Sequence, residues 1–302
     1  MKNLKYFIIV FFAFNFTNSF SQGCSDAGFC SINKSLEVHD TAKKSSIEFG
    51  TVYAGAEQDV TVFSQYVTYS RDINANFSVS FKVTAATAKG SFGTRGNIGD
   101  TFIIGNYKLK SKSEVRKTAL LFGIKAPFTS ANNKINGYSI PMVYQSSLGT
   151  FDLLGGINVN YKKWDFNAAF QIPVVNINKN SYESSFSGTT LFPSTNLFRR
   201  KSDGLLRATY TIKTNDEKFT FKPNILLIYH FGQDSFENVF GKRENIIGSD
   251  GATLNGNLIA NYKLNKNSSL ETSLAAPFVI RDVKPDGLTR KYTIGLAYKL
   301  SF

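Results

Sequence analysis

Lys291-Tyr292-Thr293-Ile294-Gly295-Leu296-Ala297-Tyr298-Lys299-Leu300-Ser301-Phe302 alternates without a break. Tyr292, Ile294, Leu296, Tyr298, Leu300 and Phe302 share one face of an extended chain, and Lys291, Thr293, Gly295, Ala297, Lys299 and Ser301 share the other. Because successive side chains of a β-strand point to opposite faces, this segment reads as a strand with something apolar on one side and something polar on the other. Residues 77–84, 164–172 and 254–264 repeat the pattern, and no stretch after about residue 46 sustains a helical period. Alternation alone fits either a secreted β-sandwich or a membrane barrel, so strand length and loop plan have to decide.

Twelve strands are expected, at about 46–55, 60–72, 76–86, 99–110, 116–127, 145–161, 164–175, 203–213, 218–231, 250–264, 269–280 and 287–302. Connections after even-numbered strands are short, as at Lys162-Lys163. Most after odd-numbered strands are long, at about 87–98, 128–144, 176–202 and 232–249. Short turns at one end and long loops at the other are the plan of a bacterial outer-membrane barrel, and an even strand count puts both chain ends on the periplasmic side. The strands also exceed the roughly five or six residues usual in globular sheets and match the ~10 needed to cross a bilayer at a tilt. Tyr161, Trp164, Tyr262, Tyr292 and Tyr298 fall at strand ends, where interfacial girdles sit. The fold class expected is all-β: a transmembrane antiparallel up-and-down β-barrel of about 12 strands over residues 46–302.

Composition agrees. The 302 residues include 28 Phe and 14 Tyr but only 19% charged residues, and carry a net +13. A mean hydropathy of −0.16 excludes a helical membrane protein but not a barrel, whose apolar face is diluted by a polar lumen. Residues 1–21 read as a signal peptide: Lys2 and Lys5, a nine-residue apolar run from Tyr6 to Phe14 that is too short to span a bilayer, then Ser19-Phe20-Ser21. Residues 22–45 are then a polar periplasmic segment ahead of the barrel. Cys24 and Cys30 are a disulfide candidate in an oxidising compartment, with a lipidated Cys24 as the alternative. Two cysteines with only His39 nearby do not complete a metal set.

Descending strands begin alike, with Asp100, Asp152, Asp203, Asp250 and Asp286 at corresponding places, often before Gly. Asp-Gly is a turn signal; the other reading is a ring of carboxylates that gates the barrel or binds cations. Ascending strands share a proline, at Pro127, Pro173 and Pro277, each on the inward parity. Since proline removes a ladder donor, these mark strand ends or kinks that open the wall sideways. Lumen parity selects Lys125, Asp152, Asp165, Arg207, Lys213, Lys222, His230, Glu271 and Lys299, which either pair among themselves or line a permeation path. No catalytic set is expected: His39 and His230 are the only histidines, His39 lies ahead of the barrel, and His230 lacks the serine two residues on that the barrel phospholipases and deacylases have. No cofactor, metal or nucleic-acid partner is expected either.

Gly96-Asn97-Ile98-Gly99-Asp100, then Tyr107-Lys108-Leu109 and Leu121-Phe122-Gly123-Ile124-Lys125-Ala126-Pro127, resemble the G-x-G-D … K-L-P pattern of outer-membrane channels for hydrophobic compounds. These are the proteins allied to the long-chain fatty-acid transporter and to those found with phenol meta-cleavage pathways. The resemblance implies that residues 22–45 form a hatch-like segment, with a disordered tail as the alternative, and a kinked wall through which apolar cargo leaves sideways. The segment around Cys24 and Cys30 looks like exported proteins of Bacteroidota. The function expected is passive passage of small molecules, hydrophobic ones among the candidates, across the outer membrane of a Gram-negative bacterium. The alternative is a non-transporting barrel whose loops serve adhesion or hold a partner. Expected partners are outer-membrane lipid and lipopolysaccharide, and the barrel assembly machinery through Phe302; the chain is expected to be a monomer.

Overall fold

Strands that are apolar on one face only must bury or shield that face, and a sheet that closes on itself does so without leaving an edge. The computed structural model describes residues 44–302 apart from 112, 114, 288 and 289. It is a closed antiparallel barrel of twelve strands. They are β1 (Ser45–Ala56), β2 (Thr61–Asp72), β3 (Phe77–Gly90), β4 (Gly93–Lys108), β5 (Arg116–Pro127) and β6 (Thr150–Tyr161). There follow β7 (Trp164–Asn176), β8 (Asp203–Tyr210, continued by Ile212–Lys213), β9 (Phe219–His230), β10 (Gly251–Lys263), β11 (Ser268–Val279) and β12 (Arg290–Ser301). Each pairs with the next, and β12 pairs with β1 from Ser46↔Ser301 to Ala56↔Arg290, which closes the ring. The two pieces of β8 keep one register against β9, so they count as one strand.

The alternation resolves into two faces. Outward-pointing Phe122, Phe170, Leu206, Ile225 and Leu296 are each more than half exposed, while their inward neighbours Leu121, Gln171, Leu205, Asn224 and Ala297 are buried. An apolar band of this kind is far larger than a water-facing surface tolerates, and the wall is one built for lipid. Aromatic pairs mark its two rims. Trp164 and Tyr210 (4.9 Å) with Phe219 and Tyr262 (4.6 Å) lie at the short-turn end, and Tyr53 with Tyr292 (6.3 Å) lies at the other.

One expected loop is strand. Residues 87–98 continue the β3–β4 hairpin to Gly90↔Gly93, so the turn is Ser91-Phe92. β1 opens at Ser45, and the segment expected as the start of the sixth strand, 145–149, belongs to a loop. The signal peptide, Cys24 and Cys30 and the hatch-like segment up to residue 43 lie outside the described residues.

Four long loops fold over the barrel mouth. Ile140 and Tyr144 from 128–149, with Tyr182 and Phe192 from 177–202, are buried against Ala56, Val60, Val62 and Ala88 of β1–β3 and the β1–β2 turn. The 177–202 loop leaves from β7, opposite β1 in the ring, so it reaches β1–β3 only by crossing the opening. A second cluster joins Ala131, Met142 and Leu148 to Phe198 and Ile246, with Val283 packed against it, which ties all four loops into one lid.

Candidate functional site

Below the lid the lumen has two unlike halves. On β4–β9 the inward side chains include Phe102, Ile104, Leu121, Leu154, Leu205 and Leu226, buried against one another. Against β1–β3 and β10–β12 lies a cavity of about 120 Å³, with Tyr66, Lys82, Arg207, Asn224, Asn257 and Glu271 in its lining. Gly50 shapes it: the Tyr66 ring lies where a Cβ on Gly50 would sit. From that position Tyr66 donates to Glu48 (2.8 Å) and lies 4.3 Å beneath Lys82 Nζ. Asn257 donates to Asn224, its ladder partner on the neighbouring strand (2.8 Å).

At the long-loop end a belt of buried charge runs along β4–β9 beneath the lid. Lys125 Nζ, with no exposed surface, lies 2.8 Å from Asp152 and 3.5 Å from Asp100, and donates to Thr150 Oγ1 (3.0 Å). Gln171 donates to Asp152, and Ser147 donates to Asp100 (2.5 Å). Further round, Arg200 binds Asp203 and approaches Asp286 (3.7 Å), while Arg281 binds Asp286 (2.8 Å) and the Ser249 carbonyl (2.7 Å). His230 stands between two carboxylates, Nδ1 at 2.5 Å from Asp203 and Nε2 at 2.8 Å from Asp234. An imidazolium can donate to both at once; a neutral ring can donate to one. Asp234 also accepts from the Lys201 N–H (2.8 Å) and its own N–H donates to Ser249 Oγ (2.8 Å). The belt thus nails three lid loops to the wall.

Burial and charge compete to set the protonation of the loop members. Burial drives Asp234 above the ordinary carboxylate range, against the pull of His230. Burial pushes Asp286 the same way, but Arg281 and Arg200 outweigh it and hold its pKa down at about 2. Burial would lower Arg200, yet Asp203 and Asp286 keep it above its usual value.

Of the residues selected by lumen parity, Lys125, Asp152 and His230 belong to the belt, and Arg207 and Glu271 line the cavity. Asp165 accepts from Asn158 (2.8 Å), and Lys222 and Lys299 are half-buried on β9 and β12. Lys213 is exposed at the short-turn mouth. The repeated aspartates come out divided. Asp100, Asp152, Asp203 and Asp286 are buried and hold the protein's own Lys and Arg, whereas Asp250 is exposed. Loop residues Arg200, Asp234 and Arg281 carry no period and no repeat, so nothing in the sequence singled them out.

The prolines coincide with gaps in the ladder. β5–β6 pairing stops at Lys125↔Asp152, β7–β8 at Gln171↔Asp203 and β11–β12 at Ala275↔Thr293, each two residues short of Pro127, Pro173 and Pro277. On the other side of Pro173 and Pro277 the register shifts by a bulge. The first two seams end on rungs that belong to the charge belt. The third ends on Ala275 and Thr293, which carry no charge and line the cavity.

No family model and no curated protein matches the sequence. Among solved structures, an outer-membrane channel from Pseudomonas putida F1 superposes with a TM-score of 0.59 at 11% identity, over 88% of this chain and 100% of that one. The KdgM porin gives 0.46 at 10% identity, over 85% and 99%. Outer membrane phospholipase A from Escherichia coli gives 0.42 at 9%, over 89% and 96%. The likeness to the Pseudomonas channel is one of fold: it is the same closed barrel.

Proposed function

We propose that the protein is an outer-membrane channel of a Gram-negative bacterium that passes small molecules without an energy source. The observation that carries this reading is the cavity in the polar half-lumen, whose wall includes the last rung of a weakened seam, Ala275↔Thr293. In lipid an unpaired backbone group costs several kcal/mol unless water or protein satisfies it, so a seam cut short by Pro277 is where the wall parts most readily. Polar solutes take the axial route, and apolar ones leave through the β11–β12 seam. The test is conductance of the purified protein in planar bilayers, with vesicle uptake of one apolar and one hydrophilic solute. Pro277→Ala, which returns an N–H to the ladder, is expected to slow the apolar solute more; equal effects on both would remove the sideways route.

The lid that crosses the mouth favours a second reading, a closed barrel whose loops serve adhesion or hold a partner. A barrel that passes no current under any condition, and whose loop deletions abolish partner binding, would establish it. An enzyme is the weaker reading, because both nitrogens of His230 already face carboxylates. Lipopolysaccharide contact, recognition of Phe302 by the assembly machinery and a monomeric state belong to the same proposal.

A further inference from the structure

Charge is distributed unequally between the two ends. The short-turn end comprises 44–46, 71–77, 107–117, 161–165, 213–219, 263–268 and 299–302; among its described residues are thirteen Lys and Arg against four Asp and Glu. The long-loop end comprises 55–62, 87–100, 125–152, 173–203, 230–252 and 277–291, and there the figures are fourteen and twelve. The two ends hold nearly the same number of cations, but the short-turn end has a third as many acids. At the long-loop end the cations meet acids in the belt, whereas at the short-turn end the ion pair Lys263 to Glu217, at 3.8 Å, joins two exposed side chains.

The direction of these lysines decides what the excess charge faces. Lys108 pairs with Ala119, Lys117 with Asn160, Lys213 with Thr220, and Lys263 and Lys299 with Ser269. Partners in a ladder share a face, and each of these five carries the inward parity of its strand. Five strands around the ring thus turn a lysine toward the pore rather than toward lipid. The sign continues inward: Lys299, Lys222, Arg207 and Lys82 stand on the path to the cavity against Glu48, Asp165 and Glu271, all seven engaged in contacts with neighbours. A low-dielectric wall focuses such a field along the axis and raises the local concentration of counter-ions.

We propose that the short-turn, periplasmic mouth is an anion-collecting vestibule and that the axial route prefers small anions, carboxylates or phosphates, over cations. The preference for permeating anions rests on the channel reading above, while the vestibule itself does not. Two measurements keep them apart. In phosphatidylcholine bilayers under a tenfold KCl gradient, the reversal potential should have the sign of chloride permeation, with a preference of about threefold or more. Lys108→Glu, Lys117→Glu and Lys299→Glu together should reverse it. The second measurement needs no current. Trp164 is the one tryptophan of the chain, so Trp164→Phe with Asn160→Trp places a single fluorophore opposite Lys117. Relative to free N-acetyltryptophanamide, iodide should quench it more than caesium does, and the triple Lys→Glu variant should abolish the difference.

A reversal potential of the opposite sign, or equal quenching by the two ions, overturns the proposal. Iodide preference in a non-ionic detergent that vanishes in phosphatidylglycerol vesicles also overturns it, since the lysines would then serve lipid headgroups. Absence of current with iodide preference intact in those vesicles removes the channel reading and the permeation preference with it, and leaves the vestibule standing.

Discussion

A lysine with no exposed surface survives only because its surroundings replace water: Lys125 has Asp152, Asp100 and Thr150 within reach of its three N–H groups. Lys125→Met leaves two buried carboxylates facing each other, and breaking a buried pair from one side costs about 3–5 kcal/mol. Urea unfolding in vesicles should show that loss, and adding Asp100→Asn and Asp152→Asn should return most of it. Asp286 makes a pH prediction of definite sign. Its pKa is held down at about 2 in the folded lid, below the ordinary carboxylate value near 4. Its contribution is therefore complete above about pH 4 and fades as pH falls toward 2. Bilayer currents should show the lid opening more often at pH 3 than at pH 6; a lid equally closed at both would remove Asp286 from its fastening. Parity alone placed Lys125, Asp152 and His230 in the lumen. Their partners were legible only in part: Asp100 and Asp203 through a repeat whose turn reading was equally natural, Asp234 not at all.

Strands were readable where both faces have opposite solvents. β5 runs from 116 to 127 as the alternation implied, since each outward position there meets lipid. The signal fades in 87–98, read as a loop, although Thr87↔Gly96 and Lys89↔Thr94 continue the pairing. This part of the hairpin lies beyond the apolar band, where outward side chains meet water, and toward the lid it offers only small residues such as Ala86, Ala88 and Gly90, so it has no strong hydrophobic period to show. Proline recurrence was visible too, but which seam it weakens most was not, because that depends on the charge pairs on the neighbouring rungs. The last rung of the β11–β12 seam, Ala275↔Thr293, carries no charge, and this makes a direct test. Ala275→Cys with Thr293→Cys, in a chain with Cys24 and Cys30 replaced by serine, puts two thiols on directly opposed positions, within disulfide reach. Oxidation should slow the apolar solute severalfold and leave the hydrophilic one unchanged, and reduction should restore it.

The whole molecule has a polarity that labelling can check. With the native cysteines replaced, Ser185→Cys in the lid should react with an impermeant reagent on intact cells, and Asn267→Cys in a short turn only after the outer membrane is opened. The reverse pattern would invert the assigned orientation, and reaction at both would contradict the membrane-spanning barrel. Closure of the ring carries a consequence for how the molecule forms. Eleven of its strand pairs join neighbours in the chain, but the twelfth, β1 with β12, joins Ser46 to Ser301, about 250 residues apart along the chain. Hairpins can zip one after another at little entropic cost, whereas this last contact must gather nearly the whole polypeptide before it is rewarded. Until it forms, both outer strands present bare hydrogen-bonding edges in lipid, where such edges are least tolerated. The rate-limiting step of assembly is then the meeting of the first strand with the last. Substitutions along Ser46–Gly55 should slow folding, and equally conservative ones in the β6–β7 hairpin should mainly hasten unfolding.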